Sequence, residues 1–457
     1  MGQFLRRNLK YLIFTATLFC VPPAAVFLSM NRRLLYWSII ALVLPLLMFQ
    51  QTSINFFSHE LYRGTARGME VSLIYLAAAA IIGALVLRRG LRPLFPNPGA
   101  WLYLGYFLLS LPSLLTAENT LFSFFEVWKM CMIYVVYLAV YYHLDFTKGD
   151  PLPLLAGFAA VMLCVFLSVV QQHFSGIYQV RAQFPHQNSL AMFAGLLGAL
   201  FLSLFLNASG AKMRWIGFGV FALASAVLFR TYSRGAMACY PVGCAVTAAV
   251  SLLFDWKIRK VQFLSMMALA GLFGLLILAP RLIERFESAP ESSGQTRINF
   301  AIAARNMILD EPLFGIGLNN WGIKINPPYE YSEHRDPRKG FSDDYKDGIV
   351  ETIYLLVCAE CGIPCFLLLL ALFFYHWAVA LKLAGRLRRT EYFFIPAGLL
   401  GGFTVIYIQS VLEWVLKQQV NFLELMIFFA VIDYMNRHWR ELKTASLQNT
   451  GSRRLAA

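Results

Sequence analysis

The chain has 457 residues, of which 58% are hydrophobic and only 14% are charged. This balance excludes a disordered or collagen-like chain, and it argues against a soluble domain, in which about a quarter of the residues are charged. The net charge of +14 indicates membrane topology rather than a nucleic-acid partner, because the cations cluster between long apolar runs. We therefore predict an all-α, multi-pass membrane protein.

Thirteen apolar segments have roughly the length of membrane-crossing helices, since about 20 apolar residues span the hydrocarbon core. They are 11–30, 34–50, 69–87, 100–115, 121–142, 152–174, 188–207, 214–231, 236–254, 261–280, 353–381, 393–412 and 420–435. About twelve are expected to cross completely, because Pro22 and Pro23 favour a bent or re-entrant first element. The alternative is thirteen spans with an external N-terminus.

Lysines and arginines cluster on alternate linkers and thereby predict the orientation of the helices. The clusters at 88–92, 212–214, 257–260, 382–389 and 437–454 fall on one side, which is predicted to be cytoplasmic. The domains are then 1–280 as N-terminal spans, 281–349 as an external loop, 350–437 as C-terminal spans and 438–457 as a cytoplasmic tail.

Neither the cysteines nor the acidic residues predict a metal site or a cofactor. The eight cysteines lie almost entirely in apolar segments, where cysteine usually packs as a small apolar side chain. Cys358, Cys361 and Cys365 share a helical face, but no cysteine pair has zinc-finger spacing with histidines. The carboxylates at 343, 344 and 347 are expected to be solvated.

Polar clusters stand at the predicted external ends of the helices, where an ionisable group is costly unless it faces a cavity or a partner. His186 and Asn188 stand at the start of the predicted span 188–207. The segment either provides only the N-cap of this helix, or His186 and Asn188 donate hydrogen bonds to a polar ligand. Arg230 is compatible with snorkelling to headgroups. Arg234 precedes a glycine that opens a helix, and a guanidinium at a helix N-terminus is typical of an anion site.

Residues 297–309 have an amphipathic pattern that predicts a helix lying on the membrane surface. Its predicted face consists of Ile298, Ala301, Ile302, Arg305 and Ile308. Two interpretations are open. The helix lies at the interface with its arginines solvated, or it is a lid that turns Arg297 toward an anion.

Two carboxylates mark the start of the span at 353–381. Glu351 stands where the helix dipole alone favours a negative charge. Glu360 lies nine residues further into the segment, where an unpaired carboxylate is costly, so it is expected to pair or to face a cavity.

Taken in order, these motifs resemble the O-antigen ligase and polymerase family of bacterial membrane glycosyltransferases. The matching pieces are His186-Gln-Asn-Ser-Leu-Ala, Ser233-Arg-Gly-Ala, Arg297 with its helix, Pro312-Leu-Phe-Gly-Ile-Gly-Leu-Asn-Asn and Tyr354-Leu-x4-Glu360-x-Gly362. The resemblance covers roughly residues 165–375. It implies about twelve helices in the inner membrane, and transfer of a glycan from undecaprenyl pyrophosphate to an acceptor hydroxyl on the external face.

The resemblance also implies roles for the clustered residues in a metal-independent, inverting transfer. Arg234 and Arg297 would hold the pyrophosphate, and Glu351 would take the proton of the acceptor hydroxyl as a general base. The further candidates for substrate binding are His186, Asn188, Arg230, Arg305, Tyr354 and Glu360. The implied partners are the lipid-linked oligosaccharide, membrane lipid, and a chain-length regulator or export machinery.

One position departs from the ligase branch of the family, whose motif has a histidine followed by Asn, Ser or Gln, then nine residues and a glycine. Glu351 occupies that position here, and His334 in the loop has a different spacing. The departure favours a repeat-unit polymerase, with an O-antigen ligase as the alternative. A transporter or flippase for polysaccharide precursors would instead place its charges at the membrane midplane, and a non-catalytic scaffold would not need so many polar groups at one face.

Overall fold

The computed structural model describes residues 2–59, 62, 64–269, 271, 291–326, 328–329, 331 and 348–455. These residues form a bundle of helices with one two-stranded sheet. The helices are α1 (Gly2–Phe19), α2 (Val21–Met30), α3 (Arg32–Val43), α4 (Leu73–Arg89), α5 (Pro98–Ser110), α6 (Thr120–Thr147), α7 (Leu152–Phe174), α8 (Gln187–Asn207), α9 (Ala211–Arg230), α10 (Arg234–Phe254), α11 (258–269), α12 (Glu291–Asp310), α13 (Trp321–Lys324), α14 (Ile353–Arg386), α15 (Phe394–Leu412) and α16 (Gln419–Leu455), and the strands are β1 (Ser53–Phe56) and β2 (Met69–Ser72).

Eight helical segments of the described chain are long and apolar enough to cross a membrane, judged by length and composition. They are Tyr11–Met30, Thr120–Thr147, Leu152–Phe174, Gln187–Asn207, Ala211–Arg230, Arg234–Phe254, Ile353–Arg386 and Phe394–Leu412. The all-α, multi-pass class is thereby confirmed, whereas the count of about twelve spans is not.

Three of the predicted spans contain shorter helices than their apolar runs indicate. The run at 34–50 changes from α3 to a 3₁₀ turn at Leu44–Met48, because Pro45 has no N–H to continue the α-helix. Pro112 ends α5 in the same way. The run at 69–87 begins as β2, which pairs antiparallel with β1, so its helix starts only at Leu73.

The first element, Tyr11–Met30, is one of the candidate spans, and its two ends contact different parts of the bundle. Phe14 packs against Phe56 of the hairpin at one end, and at the other end Ser29 accepts a hydrogen bond from Arg88. The prolines stand in the first turn of α2, where a missing N–H disturbs no hydrogen bond of the helix. The geometry therefore favours the alternative with an external N-terminus.

Basic residues at helix ends lie on the face predicted to be cytoplasmic, and some of them form ion pairs there. Arg89 pairs with Asp145 at 2.9 Å, and Lys260 pairs with Asp255 at 2.8 Å. The starts of α8, α10 and α14 lie at the opposite face, which we call the predicted external face.

Close packing of α8, α10 and α15 forms the centre of the bundle and aligns their ends. Small residues permit this approach, as in other membrane helix pairs. A Cβ at Gly398 would lie 2.7 Å from the Cα of Leu200, and a Cβ at Gly401 would lie 2.4 Å from the carbonyl oxygen of Gly243. The helix backbones are therefore in direct contact, and their ends are held together.

We expect Gly401→Leu to destabilise the bundle by about 1–3 kcal/mol or more, because the new side chain would meet backbone atoms that cannot rotate away. The melting temperature of the purified protein in detergent measures this. Gly219→Leu is the control, since a Cβ there would meet no atom within 4 Å. Equal melting temperatures for the two variants would contradict the packing described here.

Candidate active site

Five polar side chains from separate elements meet at the predicted external face, and we call them the carboxylate–arginine cluster: Asn188, Arg234, Arg297, Glu351 and Glu413. Arg297 forms an ion pair with Glu351, and its Nη2 lies 3.8 Å from Oε1 of Glu413. Asn188 is hydrogen-bonded to Glu413, and Arg234 contributes to the electrostatic field at the same carboxylate. One guanidinium thus lies between two carboxylates.

Asn188 enters the cluster because of how α8 begins. Nδ1 of His186 accepts a hydrogen bond from the backbone N–H of Asn188 at 3.2 Å, so the histidine, rather than Asn188, is the N-cap. The carbonyl of Asn188 accepts a hydrogen bond from Gln409 at 3.3 Å, which leaves its side chain directed at Glu413. Burial, together with Arg181, lowers the pKa of His186, which keeps the ring neutral near pH 7.

Arg234 is the first residue of α10, as the glycine after it predicted. The side chain of Ser233 caps this helix by accepting from the N–H of Ala236 at 3.5 Å. A Cβ at Gly235 would lie 3.9 Å from Oε1 of Glu413. The N-terminus of α10 and a guanidinium therefore adjoin the carboxylate, an arrangement that suits an anion.

Arg297 reaches the cluster from α12, which confirms a helix over 297–309 but not its predicted face. Ala303, Ala304 and Met307 are buried against the first turns of α14, whereas Ile298 is 55% exposed. The difference arises because α12 packs on protein, so its small residues face α14. Nε of Arg297 is buried without a hydrogen-bond partner among the described residues.

Glu413 directly follows α15, and the sequence analysis did not identify it. Its side chain is only 8% exposed. Burial and the nearby Glu351 raise its pKa to about 7, against the opposite effects of Asn188, Arg297 and Arg234. The only signal for it was an acidic residue in a short linker between two apolar runs.

Arg230 and Arg305 lie outside the cluster. Arg230 forms hydrogen bonds with His173 and, at 3.2 Å, with the hydroxyl of Tyr232. Arg305 is exposed and stands about 12 Å further along α12 than Arg297. The structure therefore does not support their expected contact with the same ligand as Arg297.

Tyr354 and Glu360 also contact protein rather than the cluster. Tyr354 donates to the carbonyl of Tyr407 at 2.9 Å, and Glu360 accepts from the backbone N–H of Trp321 at 3.2 Å. Glu360 is almost fully buried, so the expectation that it pairs is met by a backbone group. This contact does not involve the cluster, and the expected role of Glu360 in substrate binding stays a prediction.

The motif Pro312–Asn320 docks on a kink in α14 at Gly362. The glycine has φ +81°, and a Cβ there would lie 2.2 Å from the carbonyl oxygen of Leu313. The backbone N–H of Ile316 donates to Ala359 at 2.9 Å. This docking explains why the motif and the Glu-x-Gly segment occur together, and it holds the chain that directly follows α12, the helix of Arg297.

A buried charge network lies beneath the cluster and fixes the chain that follows Glu413. Glu126 forms ion pairs with Lys129, at 2.6 Å, and with Lys417, at 3.1 Å. Lys129 also donates to the carbonyl of Lys417 at 3.0 Å. All three side chains are at most 6% exposed. Such a network is costly to break, because loss of one member leaves an uncompensated buried charge.

The loop expectations at His334, Asp343, Asp344 and Asp347 concern residues outside the described part of the chain, and they stay predictions. Within that part, no group of three or more His, Cys, Asp or Glu side chains could hold a metal ion.

A part of the chain is similar to a known protein family. No curated protein matches the chain, but a family model described as O-antigen ligase matches residues 219–370, about a third of the chain. The match includes Arg234, Arg297 and Glu351 of the cluster, and it ends before Glu413. The match supports the resemblance of the motifs to the O-antigen ligase and polymerase family, and the similarity covers residues 219–370.

Proposed function

We propose that the protein is a membrane glycosyltransferase that polymerises lipid-linked glycan repeat units on the external face of the inner membrane. The donor is a glycan on undecaprenyl pyrophosphate, and the acceptor is a sugar hydroxyl of a second lipid-linked unit. The observation that carries the proposal is the carboxylate–arginine cluster, in which Arg297 of α12 meets Arg234, Glu351 and Glu413 at the ends of three other helices.

Arg234 and Arg297 suit the pyrophosphate of the donor. A guanidinium is always charged and binds phosphate oxygens through two parallel hydrogen bonds. The side chain of Arg297 is 41% exposed, so a ligand can reach its guanidinium. Both arginines would stabilise the negative charge that develops on the departing pyrophosphate.

Glu413 suits the role of the general base better than Glu351 does. A base is most effective when its pKa is close to the working pH, and the pKa of Glu413 is raised to about 7. Glu351 is paired directly with Arg297, so we assign it the orientation of that arginine. This assignment revises the role that the sequence alone predicted for Glu351.

In the proposed reaction, the acceptor oxygen attacks the anomeric carbon from the side opposite the pyrophosphate. The new glycosidic bond forms as the bond from the anomeric carbon to the phosphate oxygen breaks. The electron pair leaves with the lipid pyrophosphate, and the hydroxyl proton passes to Glu413. Because the donor arrives activated, this chemistry needs neither a nucleotide nor a covalent intermediate.

The position of the cluster favours an enzyme over a transporter. Arg234 is the first residue of its helix, Glu351 precedes α14 and Glu413 follows α15. A coupled transporter would place its binding residues near the midplane, in broken helices. The departure at Glu351 favours the polymerase over the ligase, which remains the second candidate.

Incubation of the purified protein with lipid-linked repeat units alone tests the choice between the two. A polymerase should form a ladder of longer glycans on the lipid carrier, because one substrate supplies both donor and acceptor. The products are resolved on a gel after release from the lipid. Absence of a ladder until a lipid core or a protein is added would contradict the polymerase and support the ligase.

We expect Arg234→Ala and Arg297→Ala each to slow polymerisation by about 100–1,000-fold, because each removes a charge that would stabilise the leaving pyrophosphate. Initial rates with purified protein measure this, at equal amounts of folded protein. Arg214→Ala, which removes a half-buried guanidinium near the start of α9, should leave the rate unchanged. A wild-type rate in either cluster variant would refute its role.

The pH dependence of the rate separates the two carboxylates. The wild-type rate should fall about tenfold for each pH unit below about 7, because Glu413 then becomes protonated and cannot accept the proton. Glu413→Gln should lose this dependence together with about 100–10,000-fold of the rate.

Glu351→Gln is the matched comparison for this measurement. It should retain the acidic limb but shift it to lower pH, because the negative charge of Glu351 raises the pKa of Glu413. If the limb instead disappears in Glu351→Gln and persists in Glu413→Gln, then Glu351 is the base.

A further inference from the structure

A cavity of about 440 Å³ lies beside the carboxylate–arginine cluster. The hairpin region, α6 and the segment after Glu413 form its walls, and we call it the hairpin cavity. The side chains that define its chemistry are Asn55, Glu70, Trp128, Trp414, Gln418 and Gln419. Its volume is in the range of small-ligand pockets, about 300–1,000 Å³.

Two residues in the lining of the hairpin cavity are sequence neighbours of residues at or beside the cluster. Trp414 lines it and directly follows Glu413, and Pro185 lines it and directly precedes His186. The hairpin region is attached to the same corner, since Gln51 donates to the side chain of Gln183 at 2.8 Å. A ligand in the cavity would therefore lie next to the proposed base.

The lining of the hairpin cavity suits the rings and hydroxyls of sugars. Two indole rings, of Trp128 and Trp414, offer flat apolar faces for the C–H groups of a pyranose. Amide side chains can both donate to and accept from hydroxyl groups. Trp128 is held in place because its Nε1 donates to the carbonyl of Glu70 at 2.9 Å.

One amide oxygen in this lining also has its acceptor capacity unused. Oε1 of Gln418 is buried and has no hydrogen-bond partner among the described residues. Buried polar atoms are nearly always paired, and a sugar hydroxyl in the cavity could supply the donor that this oxygen lacks.

The charges around the hairpin cavity differ from those of the cluster. Arg67, Lys129 and Glu70 line it, and the charge of Lys129 is compensated by its ion pair with Glu126. The cavity therefore has two cations and one carboxylate in its lining, and only one of the cations is a guanidinium. The cluster instead brings two guanidiniums, those of Arg234 and Arg297, together with two carboxylates. A pyrophosphate fits the arginines, and an uncharged sugar fits the cavity.

We propose that the hairpin cavity is the acceptor subsite, and that it holds the sugar whose hydroxyl is presented to Glu413. This inference rests on the proposed function and extends it, because it divides the substrates between two places. The donor pyrophosphate binds at Arg234 and Arg297, and the acceptor glycan binds between the hairpin and the segment after α15.

The test uses two probes that report on the two places separately. One probe is the repeat-unit oligosaccharide released from its lipid carrier by mild acid, and the other is inorganic pyrophosphate. Binding of each to the purified full-length protein is measured by titration calorimetry. Gln418→Ala and Asn55→Ala change two walls of the cavity, and Gln171→Ala, which removes an exposed amide from α7, is the control.

We expect each cavity variant to weaken oligosaccharide binding by about tenfold, the usual effect of losing a hydrogen bond to a ligand. Pyrophosphate binding should be unchanged in both, while Arg234→Ala should show the opposite pattern. Because the two variants lie on separate elements, a folding defect in one leaves the other as a valid test.

Two results would overturn the inference, and they differ from failure of the proposed function. If the wild-type protein polymerises repeat units but both cavity variants bind the oligosaccharide normally, the acceptor binds elsewhere and the glycosyltransferase stands. If the wild-type protein binds pyrophosphate but not the oligosaccharide, the cavity is not a sugar site. Failure of the proposed function would appear separately, as the absence of any glycan product from the wild-type protein.

Discussion

The contact on which the site depends is that of one guanidinium with two carboxylates from different membrane helices. Arg297 pairs with Glu351 before α14 and lies 3.8 Å from Glu413 after α15. Each of these charges would be costly by itself at the edge of the lipid. Held together, they compensate one another, and they fix the segment that carries α12 to the ends of α14 and α15.

Two further features of the fold place the carboxylates where Arg297 can reach both. Contacts between small residues draw α8, α10 and α15 together, so that Asn188, Arg234 and Glu413 converge. The buried network of Glu126, Lys129 and Lys417 then fixes the turn after Glu413. A preorganised site of this kind needs little rearrangement when charge develops in a reaction.

The sequence predicted the parts of this site that depend on local pattern. Apolar runs marked the membrane helices, and the order of the motifs led to Arg234, Arg297 and Glu351. Glu413 could not be found in this way, because its raised pKa depends on burial by helices that are distant in sequence. The hairpin was missed for a related reason, since the apolar run at 69–87 becomes a strand only through its pairing with β1.

The two ion-paired groups, one buried and one half-buried, differ in solvent exposure, and this difference indicates different roles. The ion pair of Glu126 with Lys417 is at most 6% exposed, so exchange with a ligand would mean removing charges from the interior, and its role is structural. The pair of Arg297 with Glu351 is 41% and 35% exposed, so a ligand can compete for the guanidinium. Under the proposed function, Glu351 is the counter-ion that compensates Arg297 until the pyrophosphate arrives. A carboxylate at the position of the ligase histidine therefore has a physical purpose, because a neutral imidazole could not compensate that charge.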